Sequence, residues 1–204
     1  MSDADTQPSG KTDTALRLRQ QIIEAANEHF SRYGYAKTTV SDLAKEIGFS
    51  KAYIYKFFDS KQAIGEAICR NCLDAILIAL DKAIASSSSE TDKVRRFVSV
   101  IAQEGVRLFF SDQKLYEIAA HSAAENWQTT VDYCAKLQTR LEGIIQAGRQ
   151  SGEFERKTPL DEVCRAIMRV IQPFTNPLVL QHGLDDAEIA ASEVAGLILR
   201  SLAP

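Results

Sequence analysis

From Thr14 onward, apolar residues recur every three or four positions and never gather into alternating runs. That period lines one face of successive α-helices, and it leaves a β-sheet without strands to build it. No Asn-Gly or Asp-Gly hairpin signal appears either. The spacing predicts a first helix over 14–33, carried by Leu16, Ile22, Ile23, Ala26 and Phe30, with Gly34 at its C-terminal cap. A long helix is expected over 60–85, ending in the run Ser86-Ser87-Ser88-Ser89. Further helices are expected over 91–110, 112–121, 123–150, 160–180 and 185–202, punctuated by Gly152, Pro159 and Gly183. Pro173 and Pro177 should kink or split the 160–180 segment. Residues 1–13, polar and containing Pro8 and Gly10, read as a disordered tail. The expected fold class is therefore all-α.

A chain of 204 residues makes one or two domains and is long enough to bury a real core. It contains no apolar run of 18 residues, so a membrane partner is not expected. The polar N-terminus lacks the apolar stretch of a secretory signal, so a cytoplasmic location is expected. Cys69, Cys72, Cys134 and Cys164 are too few and too scattered for a disulfide framework. Cys69 and Cys72 spell C-x-x-C, but no second Cys or His pair completes a zinc site, and the motif lies inside a helical pattern. The cysteines read as small buried hydrophobes, and no cofactor or metal is expected. The net charge of −3 argues at first against nucleic acid. Its distribution is uneven, however. Residues 1–61 carry nine Lys/Arg and eight Asp/Glu, and the remainder carries fifteen and nineteen. A weakly basic head on an acidic body suits local phosphate contact.

The informative stretch is Thr38 to Ile64. Thr39 followed by Asp42 has the spacing of a capping box and starts a short helix over 40–47. Gly48 breaks that helix, Phe49 plugs the turn, and Ser50 caps a second helix reaching Phe58. Two short helices joined by a glycine-containing turn outline a helix-turn-helix. On a helical wheel Ile54, Phe57 and Phe58 share an apolar face, and Lys51, Ala52, Tyr53, Tyr55 and Lys56 are left outward. Two tyrosines beside two lysines are a poor surface for plain solvent and a good one for DNA. Lysines neutralise phosphates, tyrosine hydroxyls bond phosphate oxygens, and an alanine or a ring touches a thymine methyl. The same tyrosines also suit packing in an ordinary small bundle. Asp59-Ser60-Lys61 opens the next helix, where free N–H groups and Lys61 can hold another phosphate.

The pattern Thr39-x3-Leu43-Ala44-x3-Gly48-Phe49-Ser50-x3-Ile54-Tyr55-x2-Phe58-x-Ser60-Lys61 resembles the DNA-binding signature of the TetR family, in a register covering about 15–75 with the motif at about 38–57. The resemblance implies a three-helix DNA-binding head over 14–61, joined by a long helix to a helical ligand-binding and dimerisation bundle over 62–204. It implies that Thr39 and Ser41 contact backbone or a base edge. Ser50, Lys51, Ala52 and Tyr53 would enter the major groove, and Tyr55, Lys56 and Lys61 would clamp phosphates. Two departures stand out: Ala52 replaces a common Gly, and Phe57 replaces a common His or Tyr, which makes Phe57 a core residue in expectation.

The body carries no motif of its own. Phe109, Phe110, Tyr116, His121, Trp127, Tyr133 and Gln138 offer apolar surfaces with polar tips, which suit a ligand pocket and, equally, a bundle core and its rim. The last helix is rich in small residues (Ala187, Ala190, Ala191, Val194, Ala195, Gly196), which fits either a dimer seam or packing within one chain. No G-x-S-x-G, P-loop or H-E-x-x-H supports an enzyme. The expectation is a homodimeric regulator that binds a near-palindromic double-stranded DNA site, most simply a repressor released by a small, largely apolar effector. The alternatives are a ligand-independent DNA binder of the same fold and, remotely, an enzyme.

Overall fold

The computed structural model describes residues 9–204, and all of its regular elements are helices. The chain divides into two compact units, with the boundary between Ile68 and Cys69. The first unit begins with α1 (Ser9–Tyr33), which starts five residues before the expected Thr14. Residues 1–8 of the expected tail lie outside the described residues. Ile22, Ile23, Ala26 and Phe30 of α1 are buried, as their spacing requires, whereas Leu16 is exposed. Gly34 follows with φ of 84°, a left-handed conformation that ends the helix at little cost only for glycine. Next come α2 (Val40–Ile47) and α3 (Lys51–Ile54). α3 is shorter than expected, because regular helix stops at Ile54 and residues 55–57 form turns. The core of this unit is closed by Leu43, Ala44, Ile54, Phe58 and Ile64.

α4 (Lys61–Ala85) is continuous and supplies residues to both units. The second unit adds α5 (Glu90–Ser111), α6 (Gln113–Ala124), α7 (Gln128–Ser151) and α8 (Leu160–Val170). Two single-turn helices follow, α9 (Gln172–Thr175) and α10 (Pro177–Leu180), and then α11 (Ala187–Ser201). Pro173 and Pro177 each sit in the first turn of their short helix, so the prolines split the segment, as expected. One contiguous core joins Ile76, Leu80, Phe97, Ile101, Leu137, Leu141, Ile145, Cys164 and Ile171. α11 packs along α5 and buries Ala187, Ala191, Ala195 and Ile198. Half of the small-residue pattern thus serves the chain's own core. Ala190, Val194 and Gly196 are half-buried, and Ile189 and Leu197 are exposed. Among the described residues, no helix is long and apolar enough to cross a membrane, and no group of His, Cys, Asp and Glu could hold a metal. All four cysteines are free, and burial raises the pKa of the Cys72, Cys134 and Cys164 thiols.

Candidate nucleic-acid interface

Local chemistry fixes the turn between α2 and α3. Thr39, in an extended conformation, accepts the N–H of Asp42 at 3.2 Å, while its own N–H donates to Asp42 Oδ2 at 3.0 Å. Both halves of the capping box are made. The Thr39 hydroxyl also donates to the same oxygen at 2.6 Å. These bonds to Thr39, first its hydroxyl and then its backbone, hold the Asp42 carboxyl below its ordinary range. Gly48 takes φ of 74° and closes α2 through N–H bonds to the carbonyls of Ala44 and Lys45. Ser50 then accepts the Tyr53 N–H at 3.1 Å and caps α3.

The caps and the buried Ile54 and Phe58 leave Lys51, Ala52, Tyr55 and Lys56 exposed around α3. The lysine amines lie over tyrosine rings: Lys51 Nζ is 5.8 Å from the Tyr55 centroid, and Lys56 Nζ is 5.4 Å from that of Tyr53. Tyr53 is half-buried in an edge-to-face ladder between Phe49 at 4.9 Å and Phe57 at 5.5 Å. Phe57 was expected in the core, and instead it forms the half-buried end of this ladder. Thr39 and Ser50 are exposed caps, and Ser41 is half-buried on α2. Beyond α3, Ser60 accepts the Ala63 N–H at 3.0 Å and so caps α4, whose first turn carries no acidic residue.

Lys61, expected to clamp a phosphate, is half-buried and turned toward the main chain. Its amine donates to the carbonyls of Tyr35 and Thr38, at 3.1 Å each, and sits 4.3 Å from the Tyr35 ring centroid. Burial lowers its pKa. A lysine engaged by two main-chain carbonyls and a ring face is a brace between the start of α4 and the loop before α2. Sequence position alone suggests a clamp, because its partners lie 26 and 23 residues away.

The body holds a partly open, mostly apolar cavity of about 40 Å³ whose lining includes Leu73 and Ile76 of α4, Ile101, Gly105 and Leu108 of α5, and Phe174 and Leu180 of α9 and α10. Tyr116 and Tyr133 are the only two of the seven expected pocket residues in its wall. Tyr116 donates to the Pro177 carbonyl at 2.7 Å, and burial pushes its pKa up to about 12. Tyr133 is 4% exposed, and burial raises the pKa of its hydroxyl. The other five are placed elsewhere. Phe109 packs edge-on against Tyr116 and Phe110, and Phe110 is largely solvent-exposed. His121, exposed, lies against the buried ring of Trp127 at 5.5 Å, and Gln138 donates to Glu142 at 2.9 Å. Aliphatic side chains build most of this cavity.

Comparisons with known proteins agree with this arrangement. The family described as "Bacterial regulatory proteins, tetR family" matches residues 22–68, and that described as "Tetracyclin repressor-like, C-terminal domain" matches 91–194. The chain is 23% identical to the HTH-type transcriptional regulator YdgC of Bacillus subtilis (strain 168), over 93% of the chain and 94% of that protein. It is 28% identical to YfiR of the same organism, over 89% and 86%. Its fold is that of the transcriptional regulator FadR from Bacillus subtilis, solved in complex with stearoyl-CoA. That match has a TM-score of 0.67 at 21% identity and covers 90% of this chain and 98% of that one.

Proposed function

The chain belongs to the TetR family of bacterial transcriptional regulators, and from that premise we propose that it is a homodimeric repressor released from DNA by a small, largely apolar ligand. The observation that carries the DNA half is α3, capped by Ser50, with Lys51, Ala52, Tyr55 and Lys56 exposed and two of its lysines laid over tyrosines. Lys51, Ala52 and Tyr53 enter the major groove. Tyr55 and Lys56 hold phosphates, and Thr39, Ser41 and Ser50 flank them. One such helix reads one half-site, so a second copy is needed to read a near-palindrome. The seat of that second copy is the α8–α11 face, where Val170, Leu178, Val179, Ile189 and Leu197 stay exposed in the single chain.

The ligand half rests on the body cavity. Its lining is mostly apolar, and the hydroxyls of Tyr116, Tyr133 and Thr175 suit a largely apolar ligand with a hydrogen-bonding group. α4 supplies both Leu73 and Ile76 to that wall and Lys61 to the brace of the head, so a ligand that shifts α4 acts on the reading head. The coupling equals the difference in ligand affinity between the two states, about 1–3 kcal/mol in typical cases, or 5- to 150-fold in DNA affinity. At about 40 Å³ the cavity holds a few waters, whereas drug-sized ligands need roughly 300–1,000 Å³. That size favours the second reading, a DNA binder without an effector. The two separate on DNA affinity measured with and without a small molecule that raises the thermal midpoint of the full chain. A loss of at least 5-fold supports the repressor, and unchanged affinity at saturation leaves a constitutive DNA binder.

A further inference from the structure

Two spaces in the body share one wall. The inner space is the cavity of about 40 Å³. The outer space is an open apolar groove of about 390 Å³, bordered by Val179 on α10 and by Ala190 and Val194 on α11. Phe174 and Leu180 line both, and each is more than nine-tenths buried. The wall they belong to is the weakest piece of helix in the body. α8 ends at Val170, Pro173 falls within the single turn of α9, Asn176 is extended, and Pro177 opens the single turn of α10. Each proline lacks the N–H that would extend a continuous helical ladder. The segment is instead pinned inward at two points. Tyr116 donates its hydroxyl to the Pro177 carbonyl. Leu180 is seated over Gly105 of α5, where a Cβ would lie 2.6 Å from Leu180 Cδ2.

A ligand of ordinary size must enlarge the inner cavity several-fold. The α5 wall cannot yield cheaply, because it anchors the core through Phe97, Val98 and Ile101. The α9–α10 wall also puts Phe174 and Leu180 into the core, but on single-turn helices interrupted by Pro173, Asn176 and Pro177, and behind it lies open groove. We propose that residues 172–180 form a movable partition, and that filling the inner cavity is read on the outer groove as Phe174 and Leu180 are driven into it. This deepens the repressor reading and rests on its assignment of the α8–α11 face to a second copy of the chain. A ligand in the cavity then weakens subunit pairing, and by reciprocity a seated partner holds the cavity shut. Effector release therefore acts on the spacing of the two reading heads through the subunit contact as well as through α4.

The test is the dimer dissociation constant of the full chain by sedimentation equilibrium, with circular dichroism to confirm folding. In Gly105→Ala the new methyl group pushes Leu180 outward as a ligand would. Alanine in a helix interior is otherwise favourable, so helix propensity cannot weaken the dimer. The expected result is a dissociation constant at least 5-fold above wild type. In a Leu180→Val background, which lacks the Cδ2 atom, the same change should shift it less than 2-fold. Tyr116→Phe removes the other pin without adding volume and should also weaken the dimer, which keeps the test open if Gly105→Ala does not fold. A folded Gly105→Ala or Tyr116→Phe protein with the wild-type constant overturns the partition. So does an equal loss in both Leu180 backgrounds, since the effect would then bypass Leu180. A wild-type chain that stays monomeric overturns the subunit reading, and this inference with it. A dimeric wild type with silent variants overturns the partition alone.

Discussion

Lys61 and Lys56 lie five residues apart and are placed differently. The Lys61 amine faces inward onto the carbonyls of Tyr35 and Thr38, whereas Lys56 is exposed beside Tyr53. Lys61→Ala should therefore lower the thermal midpoint of the head and leave the salt dependence of DNA binding unchanged. Lys56→Ala should lower the slope of log affinity against log salt by about one and leave the midpoint in place. A Lys61→Ala protein of normal stability with a reduced slope would reverse the two roles. Asp42 gives a pH signature. Its pKa is lowered in the folded state by its bonds to Thr39. A depressed carboxyl pKa stabilises the fold above the unfolded value, and that contribution is lost as pH falls through the folded value. The stability difference between wild type and Asp42→Asn should thus persist at neutral pH and vanish in acid, below the ordinary carboxylate range. A difference that stays constant on acidification would show that the capping box is not titrating.

At the scale of elements, the head is legible in the sequence because its determinants are local. Thr39 and Asp42, Gly48 and Ser50 each act within four residues of themselves, so spacing alone reveals the caps and the turn. The body is less legible because its determinants are distant in sequence. The cavity gathers aliphatic side chains from α4, α5, α6 and α10, and none of them differs in type from a core residue. The small-residue pattern of α11 could not reveal its partner, and the partner proves to be α5 of the same chain for Ala187, Ala191 and Ala195. Glycine positions were equally silent. A Cβ on Gly148 of α7 would lie 2.1–2.9 Å from three ring atoms of the buried Phe154, so the helix passes the ring only because the residue is glycine. Gly148→Ala should cost about 1–3 kcal/mol in overpacking, more than the roughly 1 kcal/mol that alanine gains in a helix. In a Phe154→Ala background the same change should become neutral or stabilising, as denaturant unfolding would reveal. An equal cost in both backgrounds would place the strain elsewhere.

At the scale of the whole molecule, a single α3 cannot specify a long site, and the proposed function requires two. Leu197, 55% exposed on α11, offers a way to separate the copies without touching the core, which the buried Ala191 does not. Leu197→Glu should yield a folded monomer whose DNA affinity falls steeply, because the two half-sites are no longer read together. The most direct measurement is selection of duplex DNA from a random-sequence library by the full chain, followed by affinity measurement on the recovered sites. The predicted result is an inverted repeat whose half-sites lie about 34–36 Å apart or somewhat more, bound with a steep salt dependence that Lys56→Ala reduces, and lost in Leu197→Glu. Recovery of no enriched sequence, or of a single half-site bound equally well by the Leu197→Glu monomer, would contradict a dimeric reader of DNA.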